Sequence, residues 1–92
     1  MKVLISNEYG GFYLPAEVKK HVGEDRDCLI DRADKKLISF METGNYIKYN
    51  CPEMCIVEIP DDATDYKIIE YDGLEHVIYV LNGKIYEKYG ED

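Results

Sequence analysis

Ninety-two residues, nearly half of them apolar and a third charged with both signs present, make one small domain near the lower limit for an independent hydrophobic core, and wholesale disorder is excluded. Eleven basic and nineteen acidic residues give a net charge of -8, which disfavours direct contact with nucleic-acid phosphates and favours a basic partner, the plain alternative being that the charge only keeps the chain in solution. Lys2 precedes only a short apolar run before Ser6-Asn7-Glu8, no run approaches a membrane span, and Cys28, Cys51 and Cys55 form no disulfide framework. These features set the expectation of a soluble, cytoplasmic protein with free thiols.

Residues 2–5 are β-branched and apolar, a first strand, and Gly10-Gly11 mark a turn after it. Leu14, Val18 and Val22 recur at helical spacing, with Pro15 suited to a first helical position and Gly23 to a stop. Residues 24–27 are a charged loop, and Cys28-Leu29-Ile30 fit a brief strand or buried coil. Asp31 is placed to cap a second helix with Asp34 in its first turn. Leu37, Ile38, Phe40 and Met41 form its apolar face and Gly44 its end. That helix is the natural cover for the apolar face of a sheet. Residues 45–52, with Tyr46, Ile47 and Tyr49, form an extended connector, and 54–59 a strand closed by Pro60-Asp61-Asp62.

Residues 66–89 organise the rest. Three runs rich in Ile, Val, Leu and Tyr are separated by Asp72-Gly73 and Asn82-Gly83, dipeptides that supply the positive φ angles of two-residue hairpin turns, and this predicts a three-stranded antiparallel meander. Tyr71 opposite Leu74 and Leu81 opposite Lys84 put Ile69, Tyr71, Leu74, His76, Ile78, Val80, Ile85 and Tyr89 on one face, the expected core face. Tyr66, Ile68, Glu70, Glu75, Val77, Tyr79, Lys84, Tyr86 and Lys88 take the other, left for water or a partner. The expected class is α+β: a mostly antiparallel sheet with this C-terminal meander, two helices packed on one face, and a single domain over 1–92.

The excess acid sits here too. Residues 58–92 hold ten acids and three bases, a net of -7, whereas residues 1–57 hold nine and eight, a net of -1. Five of the nine tyrosines, Tyr66, Tyr71, Tyr79, Tyr86 and Tyr89, lie in the meander, where each serves as strand former or as a rigid interface residue with a polar tip.

Other chemistry is weaker. Cys51 and Cys55, with Cys28 and either His21 or His76, have the types of a zinc site, but scattered ligands favour buried structural cysteine. Cysteine nucleophilicity needs a neighbouring base, and neither histidine lies in an active-site motif. Gly10-Gly11 lacks the rest of a phosphate loop, and Asp61, Asp62 and Asp65 lack the glycine and terminal glutamate of a calcium loop.

Two segments carry a resemblance. Residues 5–14, ISNEYGGFYL, are similar to the opening strand and Tyr-Gly-Gly-Phe-x-Leu of a family of small, poorly characterised proteins encoded by phages and prophage-bearing bacteria. Residues 56–62 and 69–75 resemble its Ile-Pro-Asp-Asp and Glu-Tyr-Asp-Gly-x-Glu signatures, and Arg32, Asp34, Leu37 and Ile38 a helix start between them. Tyr13 replaces a usual glycine, Pro15 a usual capping serine, and Asn82-Gly83 leads into an added strand in place of a tryptophan-containing tail. The family brings no catalytic residues. The resemblance implies a phage-type origin, with the host cytoplasm as its setting, more than an activity; that the protein binds and inhibits a host or defence protein is the expectation that its class and acidic charge set.

The resulting expectation is a non-enzymatic binding protein without cofactor, catalytic or metal residues. Asp61, Asp62, Asp65, Tyr66, Glu70, Glu75, Tyr79 and Tyr86 would occupy a basic nucleic-acid-binding surface, as on a CRISPR effector. The alternatives are a metal- or thiol-dependent protein using Cys51, Cys55 and a histidine, and a domain that self-assembles through its edge strand.

Overall fold

In the computed structural model, residues 1–43 and 51–90 are described; the stop at Gly44 and all but the last two residues of the connector expected over 45–52 lie outside them. Strand β1 (Lys2–Ser6) pairs antiparallel with β2 (Met54–Glu58), Val3 opposite Val57 and Leu4 opposite Ile56. This two-stranded ribbon is the middle layer of the molecule. Because side chains alternate along a strand, Leu4, Met54 and Ile56 point to one side and Val3, Ile5 and Val57 to the other, and each set enters a separate core.

The first core is helical. Helix α1 (Ala16–Val22) follows Pro15 and ends at Gly23, whose N–H reaches the Lys19 carbonyl at 2.9 Å and whose φ of 82° turns the Glu24 N–H back to the same carbonyl at 3.2 Å. Helix α2 (Lys35–Glu42) is capped by Asp34, which accepts from the Lys36 N–H at 2.8 Å. The expected cap, Asp31, instead accepts from Ala33 N–H at 3.0 Å in the turn before, so the helix starts one turn later than the sequence suggested. Between the helices, Asp27–Leu29 form a 3₁₀ turn that leaves Cys28 and Leu29 exposed and buries Ile30. The Asp27 carboxylate fixes it, accepting from Leu14 N–H at 2.9 Å and pairing with Lys19 at 3.0 Å. Leu14, Val18, Leu37, Ile38 and Met41 close this core over Leu4 and Met54.

Strands β3 (Asp65–Tyr71), β4 (Leu74–Leu81) and β5 (Lys84–Tyr89) form the meander as a second sheet, in the order β3-β4-β5. Its registers are those expected, Tyr71 opposite Leu74 and Leu81 opposite Lys84. The φ values of Asp72 (52°), Gly73 (90°), Asn82 (54°) and Gly83 (77°) are all positive, as two-residue hairpin turns require. The fold is thus α+β in three layers: helices, ribbon, meander. Among the described residues no helix is long and apolar enough to cross a membrane.

The facing of the meander is the reverse of the expectation. Val77 is fully buried, and Tyr66, Ile68 and Tyr79 pack with it on Val3, Ile5, Val57 and Ile59. The face carrying Ile69, Leu74, Ile78, Val80 and Ile85 points away; Tyr71 and Ile85 are each 71% exposed and Tyr89 56%. Nor does α2 cover the meander, because it packs on the far side of the ribbon. Both faces of these strands are apolar enough to be buried, and contacts made at one end of β4 select between them.

Candidate functional site

Those contacts centre on Glu75, on β4 beside β1. Its carboxylate accepts from the Ser6 N–H at 2.7 Å and from both arms of Arg32, Nη1 to Oε1 at 2.8 Å and Nη2 to Oε2 at 3.0 Å. Nη1 also reaches the Leu4 carbonyl at 3.3 Å, and the Leu4 N–H donates to the Arg32 carbonyl at 2.8 Å. The guanidinium lies over the Phe12 ring, 3.3 Å from its centroid. Glu75 is 6% exposed, so its charge is tolerable only because a bidentate cation and a backbone donor satisfy it.

The adjoining turn completes the junction. The Gly10 N–H donates to the Asp72 carbonyl at 3.0 Å, and a Cβ on Gly73 would strike the backbone nitrogens of Gly10 and Gly11. The Tyr-Gly-Gly-Phe segment, Arg32 and the Glu-Tyr-Asp-Gly-Leu-Glu segment therefore meet at one place, where they join the meander to β1. Ile59 and Asp61 hold the N-terminus instead: the Met1 ammonium donates to the Ile59 carbonyl at 2.8 Å and to Asp61 Oδ1. Sequence reasoning singled out Arg32 and Glu75 separately and missed that they are partners, 43 residues apart.

The eight residues expected on a partner surface divide. Asp61, Asp62 and Asp65 are exposed where β2 passes into β3. Tyr79 and Tyr86 are cross-strand neighbours with stacked rings, centroids 5.4 Å apart and planes at 20°. Tyr86 is the open member at 41% exposure, while Tyr79 and Tyr66 are half-buried against the ribbon. Tyr79 also borders a shallow cleft of ≈ 320 Å³ with Glu58, Asp61 and Lys88, so of the three aspartates Asp61 shares it with one member of the aromatic pair. Glu70 is exposed but five positions along β3 from Asp65, about 17 Å away at strand spacing. Glu75 is committed to Arg32 and presents no charge to a partner.

Two perturbed acidities bear on this surface. The N-terminal ammonium holds the Asp61 carboxyl below its ordinary range, chiefly by hydrogen bonding and then by charge attraction. Burial raises the Tyr66 hydroxyl, with nearby Asp31 adding to it, so the ring stays neutral.

The cysteines and histidines are scattered. Cys51 is fully buried, and burial pushes its thiol up to about 11, the direction opposite to that of a nucleophile or a thiolate ligand. Cys28 is exposed on the 3₁₀ turn and Cys55 is half-buried on β2. His21 packs on Phe40 at 4.5 Å on the helical side, and His76 stacks on Tyr89 at 4.4 Å on the outer meander face. Among the described residues no group of three or more His, Cys, Asp or Glu is arranged to hold a metal ion. No protein-family model, curated protein or solved structure matches the chain.

Proposed function

We propose that the chain is a non-enzymatic, phage-type binding protein that inhibits a host or defence protein, such as a CRISPR effector, by occupying its basic nucleic-acid-binding surface. The observation that carries this reading is the grouping of Asp61, the exposed Glu58 and Tyr79, itself stacked on Tyr86, about one cleft, with Asp62 next in the chain; Asp65 is exposed at the start of β3 on the other face of the meander. Carboxylates there present the negative charge that a phosphate-binding surface attracts, and a rigid aromatic pair supplies contact area beside them. Glu75 is left out of the contact set, and Glu70 stands at its far margin.

The test is a titration of wild-type protein and an Asp61→Asn, Asp62→Asn, Asp65→Asn variant against a partner captured from bacterial lysate at low salt, at several salt concentrations. Wild-type protein is expected to displace nucleic acid from that partner and to lose affinity steeply with salt, the variant to bind more weakly with a shallower slope. A folded variant with wild-type affinity and an unchanged slope overturns the reading, as does a partner that holds its nucleic acid undisturbed.

A further inference from the structure

The outer face of the meander is an apolar surface that neither core takes up. It presents Ile69 from β3, Leu74, Ile78 and Val80 from β4, and Ile85 from β5; none of the five belongs to either core, Ile85 is exposed and the other four are half-buried. Its formal charges are Asp65, Lys67 and Glu87, two acids and one base, or a net of -1 on a chain of -8. The face is thus nearly neutral on an otherwise acidic molecule, so it is where a second acidic copy meets least repulsion.

The register of the charges identifies the occupant. Lys67, Ile78 and Glu87 lie in one row across the sheet, the base on one outer strand, the acid on the other, the isoleucine between them. Two such faces stacked about a two-fold axis parallel to β4 exchange left and right. Lys67 of each copy then lies over Glu87 of the other, Ile78 meets its own counterpart, and the strands stay aligned as in a sandwich of two sheets. Lys67 is exposed and has no ion-pair partner among the described residues. Glu87, 57% exposed, has only His76 Nε2 at 3.5 Å, which leaves it free to accept from a facing lysine.

We infer that the chain forms a two-fold dimer through this outer face, with two symmetry-related Lys67–Glu87 pairs flanking an Ile78–Ile78 contact. The inference is independent of the acidic partner surface, which lies about the cleft between Glu58 and Tyr79. Three strands about 4.8 Å apart and four residue rows give a contact of about 350 Å² per copy in projection, about 700 Å² in total, below what a stable interface buries, so the dimer is a weak one that needs high protein concentration.

The experiment is sedimentation velocity at roughly 100 µM, with circular dichroism to confirm folding. Wild-type protein is expected at twice the 10.7 kDa chain mass, and Ile78→Glu as a monomer. Lys67→Glu and Glu87→Lys should each weaken association at least tenfold, because each sets like charges against one another twice. An equimolar mixture of the two should restore the dimer, since one chain then carries both acids and the other both bases. A monomeric wild type overturns the inference and leaves the face to a different partner. A dimer that survives Ile78→Glu overturns it in favour of pairing along the β5 edge, and a mixture no better than its components removes the proposed alignment.

Discussion

The two faces of the meander differ in fate far more than in composition. The inner face offers Tyr66, Ile68, Val77 and Tyr79, and the outer face Ile69, Leu74, Ile78 and Val80, so neither is the obvious inside. The inner face also carries Glu75, the residue least suited to burial, yet Glu75 is buried and Ile85 is not. What separates the faces is specific pairing. Hydrophobic burial drives the sheet onto something, but a fork of guanidinium nitrogens and one backbone N–H decide which side goes down.

Breaking that pairing is the strongest way to test the comparison. Arg32→Ala is expected to cost about 3 to 5 kcal/mol, because it strands a buried carboxylate, and a domain of this size has little more than that to lose. Glu75→Gln should cost less, since the amide oxygen still accepts from Ser6 and Nη1, although the amide nitrogen then faces Nη2 donor to donor. Urea denaturation followed by circular dichroism measures both. An Arg32→Ala protein of wild-type stability would mean that apolar contacts alone select the face.

A smaller effect separates the faces directly. Val77→Ala removes two methyl groups from a site with no exposure and should cost about 2 to 3 kcal/mol including the cavity. Ile78→Ala, one residue away on the partly solvated side, should cost about 1 kcal/mol or less at concentrations where the chain is monomeric. Equal losses, or the opposite order, would contradict the observed facing.

This pair also marks how far the sequence is informative. The turns at Asp72-Gly73 and Asn82-Gly83, the stop at Gly23 and the apolar stripe of Leu37, Ile38 and Met41 are local features. Their chemistry lies within a few residues, and the α+β class and meander register follow from them. The choice of face is not local, because period-two alternation reports two faces without saying which is covered. The deciding pair, Arg32 and Glu75, meets only after the chain has folded. The helix cap shows the same limit on a smaller scale: Asp31 and Asp34 both suit the role, and only the geometry that brings Asp34 to the Lys36 N–H decides. The acidic tip was legible as charge around Asp61, but its pairing with the N-terminus, 60 residues away, was not.

The smallest expected effect concerns Asp61, and it determines whether the partner titration can be interpreted. Its side chain is 92% exposed, so its contact with the Met1 ammonium is screened by water and contributes little to stability. The sign follows from its acidity. The carboxyl binds its proton less tightly in the folded chain than its ordinary value of 3.8, so the contribution is present above that value and fades as pH falls below it. Wild-type and Asp61→Asn proteins should therefore have closely similar denaturation midpoints at neutral pH, and the small difference should vanish in acid. The Met1 amine keeps a second acceptor in the Ile59 carbonyl, which holds the terminus when the carboxylate is gone. A large loss of stability at neutral pH would make Asp61 a fold residue like Glu75 and disqualify it as a reporter of binding. Near-equal stability lets any loss of partner affinity in Asp61→Asn be read as loss of a surface charge.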